Sequence, residues 1–445
     1  MRKRTVKILK IIAIVLVVLS LIYAIAMGVS GAKLRRAYAD LEKDNRPMKK
    51  ADVIPPEVPD SENAALLYES AALLLKAQPA PEGNLQVYLG GLSDKFIKET
   101  IDPDKLAELQ RLINQDVVTQ ALSIVEQGTQ RRSCRFDYDY NAGVNIIMPS
   151  LSHLRRLAFI LSAKARLEAR SGNLDNAWNM ARIQLKLADA LLNEPILASQ
   201  LVRIASIRFS CRTIRDLCEI APPNEQQYRS IKELLASLDD IAPLVRAIDG
   251  ERLLFGEWAF NLPKHELYRI NSDDEYLEDT PGIIYRLIIL RATFKPLFLA
   301  DRAAYMRFMH KSIQLMEEPY SLDQEDIVQM EIEETHYMMT KILAPAIFRV
   351  KDIYCQTIAG LRITRAGLAL LQYKQSRNAL PETLEALNIE NIEDPFLAKP
   401  LIYKPQGQDF ILYSVGPDEK DNDGSPKEKK QEKDWDIVWS YTSRQ

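Results

Sequence analysis

Residues 11–32 carry no charged side chain, and that stretch constrains this chain more than any other. As a helix, 22 residues at ~1.5 Å each reach about 33 Å, enough to cross the hydrocarbon core of a bilayer. Arg2, Lys3, Arg4, Lys7 and Lys10 precede the stretch, and Lys33, Arg35 and Arg36 close it. A cleaved signal peptide needs an apolar run of only ~7–15 residues before a small-x-small site. Ala24-Ile25-Ala26 offers such a site, yet the run continues past it, which favours a retained anchor. Five cations in front argue against a buried core helix. The heavier basic flank lies before the span, so the N-terminus is expected to stay in the cytoplasm. The bulk of the chain then lies outside the cytoplasmic membrane, held by a single pass. Later apolar runs are cut by Arg, Lys or Asp, and no second span is expected.

Of the 445 residues, 47% are hydrophobic and 27% charged, which is enough for a real core. Only 16 are glycine, which disfavours Gly-rich phosphate-cradling folds. The net charge is −3; with five cations and no acid in residues 1–32, the remainder carries −8. A mildly acidic body lacks the basic footprint of a nucleic-acid partner. Cys134, Cys211, Cys218 and Cys355 include no Cys-x-x-Cys pair, so a zinc ribbon or thioredoxin-type motif is excluded. Seven residues of helix separate Cys211 from Cys218 by about 10 Å, too far for a disulfide. There is no Gly-x-Ser-x-Gly elbow, His-Glu-x-x-His pair or Walker A loop. His265-Glu266-Leu267-Tyr268-Arg269 lacks a second histidine. Glu333-Glu334-Thr335-His336 matches half of a di-iron site, but no other histidine supplies the second half. With Glu331 it reads better as a solvated helical face. No catalytic residue and no small-molecule substrate is therefore assigned, although a triad of distant residues would leave no local trace.

The chain divides into a basic tail (1–10), the anchor (11–32), a helical stalk and Pro-rich linker (33–60), a helical ectodomain (61–343) and a C-terminal α+β unit (346–445). The fold class is mainly α. Ser61-Glu62-Asn63 opens a helix whose Ala64, Leu67, Ala71 and Leu74 share a face. Residues 106–128 read as helix. Residues 132–149 read as extended, because Cys134 to Tyr140 alternate with period two. Asp137 and Asp139 could bind a metal or a sugar hydroxyl there; an exposed edge with tyrosines packed behind is the simpler reading. Helices follow over 150–172, from Asn173, through 218 and over 224–248. Residues 265–282 read as a loop, and helices resume over 283–318 and 322–343. Residues 165–192 look like one tetratricopeptide-type hairpin with Gly172 at its turn. No second copy follows at ~34-residue spacing, so no repeat array is expected.

The last hundred residues have a more specific pattern. A long amphipathic helix over 346–374 carries Ile347, Val350, Tyr354, Ile358, Leu361, Leu368 and Leu371 in a stripe. A short Pro-started helix (379–387), an Asp394-Pro395-Phe396 turn, a hairpin across Gly407 and a third strand at 436–441 follow. Four short motifs occur in order. They are Leu380-Pro381-Glu382-Thr383-Leu384, Asp394-Pro395-Phe396 with Lys399 to Tyr403, Leu412-Tyr413-Ser414-Val415-Gly416-Pro417-Asp418, and Asp434-Trp435-Asp436-Ile437. This order resembles the C-terminal domain of the major pseudopilin of type II secretion systems. The resemblance implies a helix packed on a three-stranded antiparallel sheet, and a calcium ion tying the last loop down. Carried over, the ligands are the Leu412 carbonyl, Ser414, Asp418, Asp421, Asp423 and Asp434. Calcium accepts six to eight hard oxygens, so the residue types suit it. The loop is not an EF-hand, since Pro426 stands at the sixth position from Asp421. Lys427, Lys429, Lys430 and Lys433 offer the alternative of a salt-bridged loop without metal. The chain also lacks the family's Gly-Phe-Thr-Leu-x-Glu processing site, having Thr5-Val6-Lys7-Ile8 there. It is not expected to assemble as a pilin subunit.

Three functions follow as expectations. The first is a membrane-anchored extracytoplasmic structural or interaction protein with protein partners in a secretion or cell-envelope assembly. The alternatives are an enzyme with a cleft in the helical region, centred on His153 or Asp137 and Asp139, and a tetratricopeptide-like adaptor.

Overall fold

The computed structural model describes residues 2–76, 103–262, 294–322, 337–343, 347–426 and 435–443. Over these the protein is mainly helical, with a long apolar N-terminal helix and two small antiparallel sheets near the C-terminus. His265, His336 and the acids beside them, and most of the predicted 283–318 and 322–343 helices before Lys295 and Met338, lie outside the described residues.

Helix α1 (Arg2–Lys43) joins the apolar stretch to the stalk without a break. It is long and apolar enough to cross a membrane. Its large side chains from Val6 to Ile22 are exposed. From Ala26 onward a stripe at three-to-four spacing turns inward, through Met27, Ser30, Leu34, Ala37 and Leu41. That face lies along α11 (Lys295–Glu317). The two helices run parallel: Tyr23 meets Phe294 edge-on at 5.5 Å, Arg302 Nε donates to Tyr38 Oη at 3.0 Å, and His310 Nε2 lies 2.7 Å from Asp44. Just past α1, Arg46 pairs with Asp249, which also holds the fully buried Arg252 at 2.9 Å.

The helical body comprises α2 (Ala65–Lys76), α3 (Pro103–Ile113), α4 (Asp116–Gly128), α5 (Pro149–Arg170), α6 (Leu174–Ala188), α7 (Leu197–Ile220), α8 (Glu225–Ser237), α9 (Ala242–Gly250) and α10 (Glu257–Asn261). A π-helical turn, Glu251–Gly256, separates the last two. Helices α5 and α6 form the predicted hairpin. Gly172 makes its turn at φ +84°, and the buried Ala165, Ala169, Ala177 and Ala181 allow close approach. Two predicted helices are each a pair. Residues 106–128 break at Asn114-Gln115, and 224–248 break at Asp239-Asp240, where Asp240 accepts the Ala242 N–H that starts α9. Asn224 and Gln227 close a reciprocal cap on α8.

No strand forms over the predicted extended segment 132–149, only an isolated bridge from Ser133 to Asn63. Its period of two survives as burial: Phe136, Tyr138 and Tyr140 are inside, and Asp137 and Asp139 outside.

Helix α13 (Ile347–Arg377) follows α12 (Met338–Leu343) and is the hinge of the architecture. One flank packs on α7 and α8, the other on β4 (Asp409–Ser414) and β5 (Ile437–Tyr441). The sheet order is β3-β4-β5, with β3 (Ile402–Gln406) paired antiparallel to β4 so that Tyr403 faces Leu412, and Leu412 faces Trp439. Strands β1 (Glu393–Asp394) and β2 (Lys399–Pro400) make a second, two-stranded sheet. The predicted helix at 379–387 is a single 3₁₀ turn, Leu384–Leu387. One hydrophobic cluster runs from Tyr68 and Leu157 through Ile214 and Leu361 to Leu412 and Trp439. The C-terminal unit and the helical body therefore share a core.

Candidate functional site

Among the described residues, the predicted calcium ligands are engaged with other groups of the protein. Ser414 Oγ donates to Asp394 Oδ1 at 2.9 Å, inside the core. Asp421 Oδ1 accepts the Tyr413 hydroxyl and the Asp423 N–H, each at 2.9 Å. Asp423 pairs with Lys404, and Asp418 accepts from Asn422 Nδ2 at 2.9 Å. Leu412 is buried mid-strand and paired with Tyr403 and Trp439. Asp434 lies outside the described residues. Among the described residues no three His, Cys, Asp or Glu side chains cluster as a metal site. Two carboxylates outside the predicted set organise this end. Asp394 accepts the N–H groups of Phe396 at 3.0 Å and Val415 at 2.9 Å; Asp436 accepts those of Gly424 at 2.7 Å and Ser425 at 3.2 Å. A carboxylate filled by backbone donors holds a loop as a cation would.

Around the aromatic segment, Tyr140 donates to the buried Glu194 at 2.9 Å. Burial pushes the Glu194 carboxyl up to about 7, against the opposing pull of Tyr140 and the Phe136 N–H. Ser150 donates to Glu69 at 2.8 Å rather than to His153. Burial lowers the half-buried His153, while Glu69 acts the other way. The Ser150 hydroxyl is thus directed to the Glu69 carboxylate and not to the imidazole. Asp139 closes a local turn onto the Asn141 N–H at 3.0 Å, and Asp137 is exposed, so neither converges with His153.

A further site lies at the seam. Helices α7 and α13 and the approach to β5 leave a cleft of about 500 Å³. Leu201, Ile204, Phe209, Ile353 and Ile437 give it apolar walls, and Trp435 stands at one end. Arg208, Arg212 and Arg215 line one side at i, i+4 and i+7, a single face of α7. Arg208 donates to Ile353 O at 3.3 Å and Thr357 Oγ1 at 3.2 Å. Arg215 is half-buried, 5.7 Å from the Trp439 ring, and donates to Thr364 Oγ1 at 2.9 Å, Gly360 O at 2.5 Å and Val438 O at 3.4 Å. Its hydrogen-bond partners are thus neutral oxygens. On the α13 wall Gln356 donates to Asp352 at 2.9 Å. A second cavity of about 260 Å³, under α2 and α6, is more self-contained: Lys186 donates to Thr129 O at 3.1 Å and Asp189 pairs with Arg203 at 3.0 Å.

No family model, curated protein or solved structure matches this chain. The sequence reading missed the arginine cleft. Its one sequence signal is the i, i+4, i+7 spacing of Arg208, Arg212 and Arg215, and the opposite wall, Ile353, Trp435 and Ile437, comes from residues more than a hundred positions away.

Proposed function

We propose that this protein is a membrane-anchored interaction protein of the cell envelope that docks an acidic segment of a partner protein in the α7–α13–β5 cleft. The observation that carries the reading is a row of three arginines on one helix face, opening onto apolar walls. Guanidinium groups bind carboxylates in pairs of parallel hydrogen bonds, and arginine with aromatic side chains is enriched at protein interfaces. The anchor is α1, with its uncovered apolar length, and the basic flank at Arg2 to Lys10 argues for a cytoplasmic N-terminus. A long helix on a three-stranded antiparallel sheet is the arrangement a pseudopilin-like C-terminal unit requires, so the partner belongs with a secretion or envelope assembly.

The test is in-cell photocrosslinking from position Ala205, an exposed cleft residue, in the full chain. A crosslinked protein partner that disappears in Arg208→Glu/Arg212→Glu is the expected result. A crosslink pattern unchanged by that double reversal would show that the cleft is not the dock. Protease accessibility of the C-terminus in intact and permeabilised cells checks the orientation.

A further inference from the structure

We infer that the folded body is itself immersed in the membrane, with the start of α11 seated in the lipid beside the anchor. The inference rests on the anchoring reading and goes beyond it. In α1 the charge-free stretch begins after Lys10, and among the described residues contact with the body begins at Tyr23. Among the described residues, the part of α1 with neither charge nor contact is therefore 11–22. Twelve residues reach only about 18 Å, against about 30 Å of hydrocarbon to be crossed. The span must take in the following turns, up to Lys33. Tilting the helix only lengthens the requirement.

Along those turns the neighbour of α1 is α11. Phe294 touches Tyr23, ten residues before Lys33, or about 15 Å below the closing cations. The composition of α11 suits that depth. Residues 296–300 are Pro-Leu-Phe-Leu-Ala, without charge, and Phe294 and Leu297 are 41% and 44% exposed. Lys295 can carry its ammonium toward the headgroups on its apolar stem. Ionic pairing resumes at Arg302, which pairs with Glu257 and meets Tyr38, one turn and more beyond Ala32. Exposed Phe294 and Leu297 thus continue the lipid-facing surface of α1 at the same depth. That continuity selects lipid over a second copy of the chain as the occupant.

The experiment places single cysteines at Tyr23, Leu297 and Gln408 of the full chain, with Cys134→Ala in the background. Each is spin-labelled and reconstituted in phosphatidylcholine–phosphatidylglycerol vesicles. Accessibility to oxygen is then compared with accessibility to a water-soluble nickel chelate. We expect Tyr23→Cys and Leu297→Cys to be oxygen-accessible at similar depth and Gln408→Cys to be nickel-accessible. A nickel-accessible Leu297 label with an oxygen-accessible Tyr23 label overturns the immersion and leaves the anchor. Nickel access at both overturns the anchor itself. Dipolar broadening at Leu297 that grows with protein-to-lipid ratio would assign the surface to a second copy and overturn the lipid assignment. Phe294→Cys repeats the test at the adjoining exposed position if Leu297→Cys perturbs the fold.

Discussion

At the scale of single residues, the buried acids make a pH prediction. Burial raises Glu194 and Glu251 from the usual carboxyl value to about 7, only partly opposed by Tyr140 and by the Leu197 N–H. The folded state therefore holds these protons more tightly than the unfolded chain. Their stabilising contribution is complete below about pH 4.5 and is lost as pH rises through about 7, on the order of 3 kcal/mol for each group. The melting temperature should fall between pH 5 and pH 8, and Glu194→Gln should flatten that fall; a pH-independent melt would contradict the assignment. Gly367 gives a steric prediction. A Cβ there would lie 2.0 Å from the Trp439 ring, so Gly367→Ala must displace the indole that covers α13. We expect a loss of ~1–3 kcal/mol, read as a lower denaturation midpoint. The sequence displayed neither fact. Glu194 sits in an ordinary turn before Pro195, and Gly367 lies inside a helix where glycine has no local reason to be.

Among the elements, the C-terminal sheet was the most legible. Gly407 with its flanking alternation, and the alternating Phe410, Leu412 and Ser414, set the register found between β3, β4 and β5. The breaks within 106–128 and 224–248 were not legible, because apolar spacing persists across them and only local turn chemistry interrupts the helix. The loop between β4 and β5 was legible as acidic, but not as a set of backbone-filled carboxylates, since Asp394 and Asp436 act on N–H groups that sequence does not display. With Asp421 and Asp423 engaged by Tyr413 and Lys404, the full chain should melt alike in millimolar calcium and in chelator. A rise in calcium would show that Asp434 completes a site with them. Helix α13 has two covered flanks, and a fragment of residues 347–443 would expose the flank that α7 and α8 cover. We expect that fragment to lack the cooperative thermal transition of the full chain by circular dichroism.

For the whole molecule, the charge-free stretch announced a helix long and apolar enough to cross a membrane, but nothing local announced that α1 also serves the core. Leu34, Ala37, Tyr38 and Leu41 pack with Tyr305, Met306 and Met309 of α11. A chain beginning at residue 33 keeps those contacts, whereas one beginning at residue 45 removes them. Each large apolar side chain lost from such a core costs about 2–5 kcal/mol. The first should retain a cooperative melt in detergent, and the second should melt well below it or fail to fold. In the proposed anchoring, because α1 is one helix from Arg2 to Lys43 and its last turns are clamped by α11, there is no slack between bilayer and body. A tethered domain on a flexible linker is indifferent to the leaflet it hangs from; this one is bolted to a rigid mast. Bilayers of different thickness re-tilt a spanning helix. The whole body must lean with it, so membrane thickness is converted into the angle at which the arginine cleft faces its surroundings.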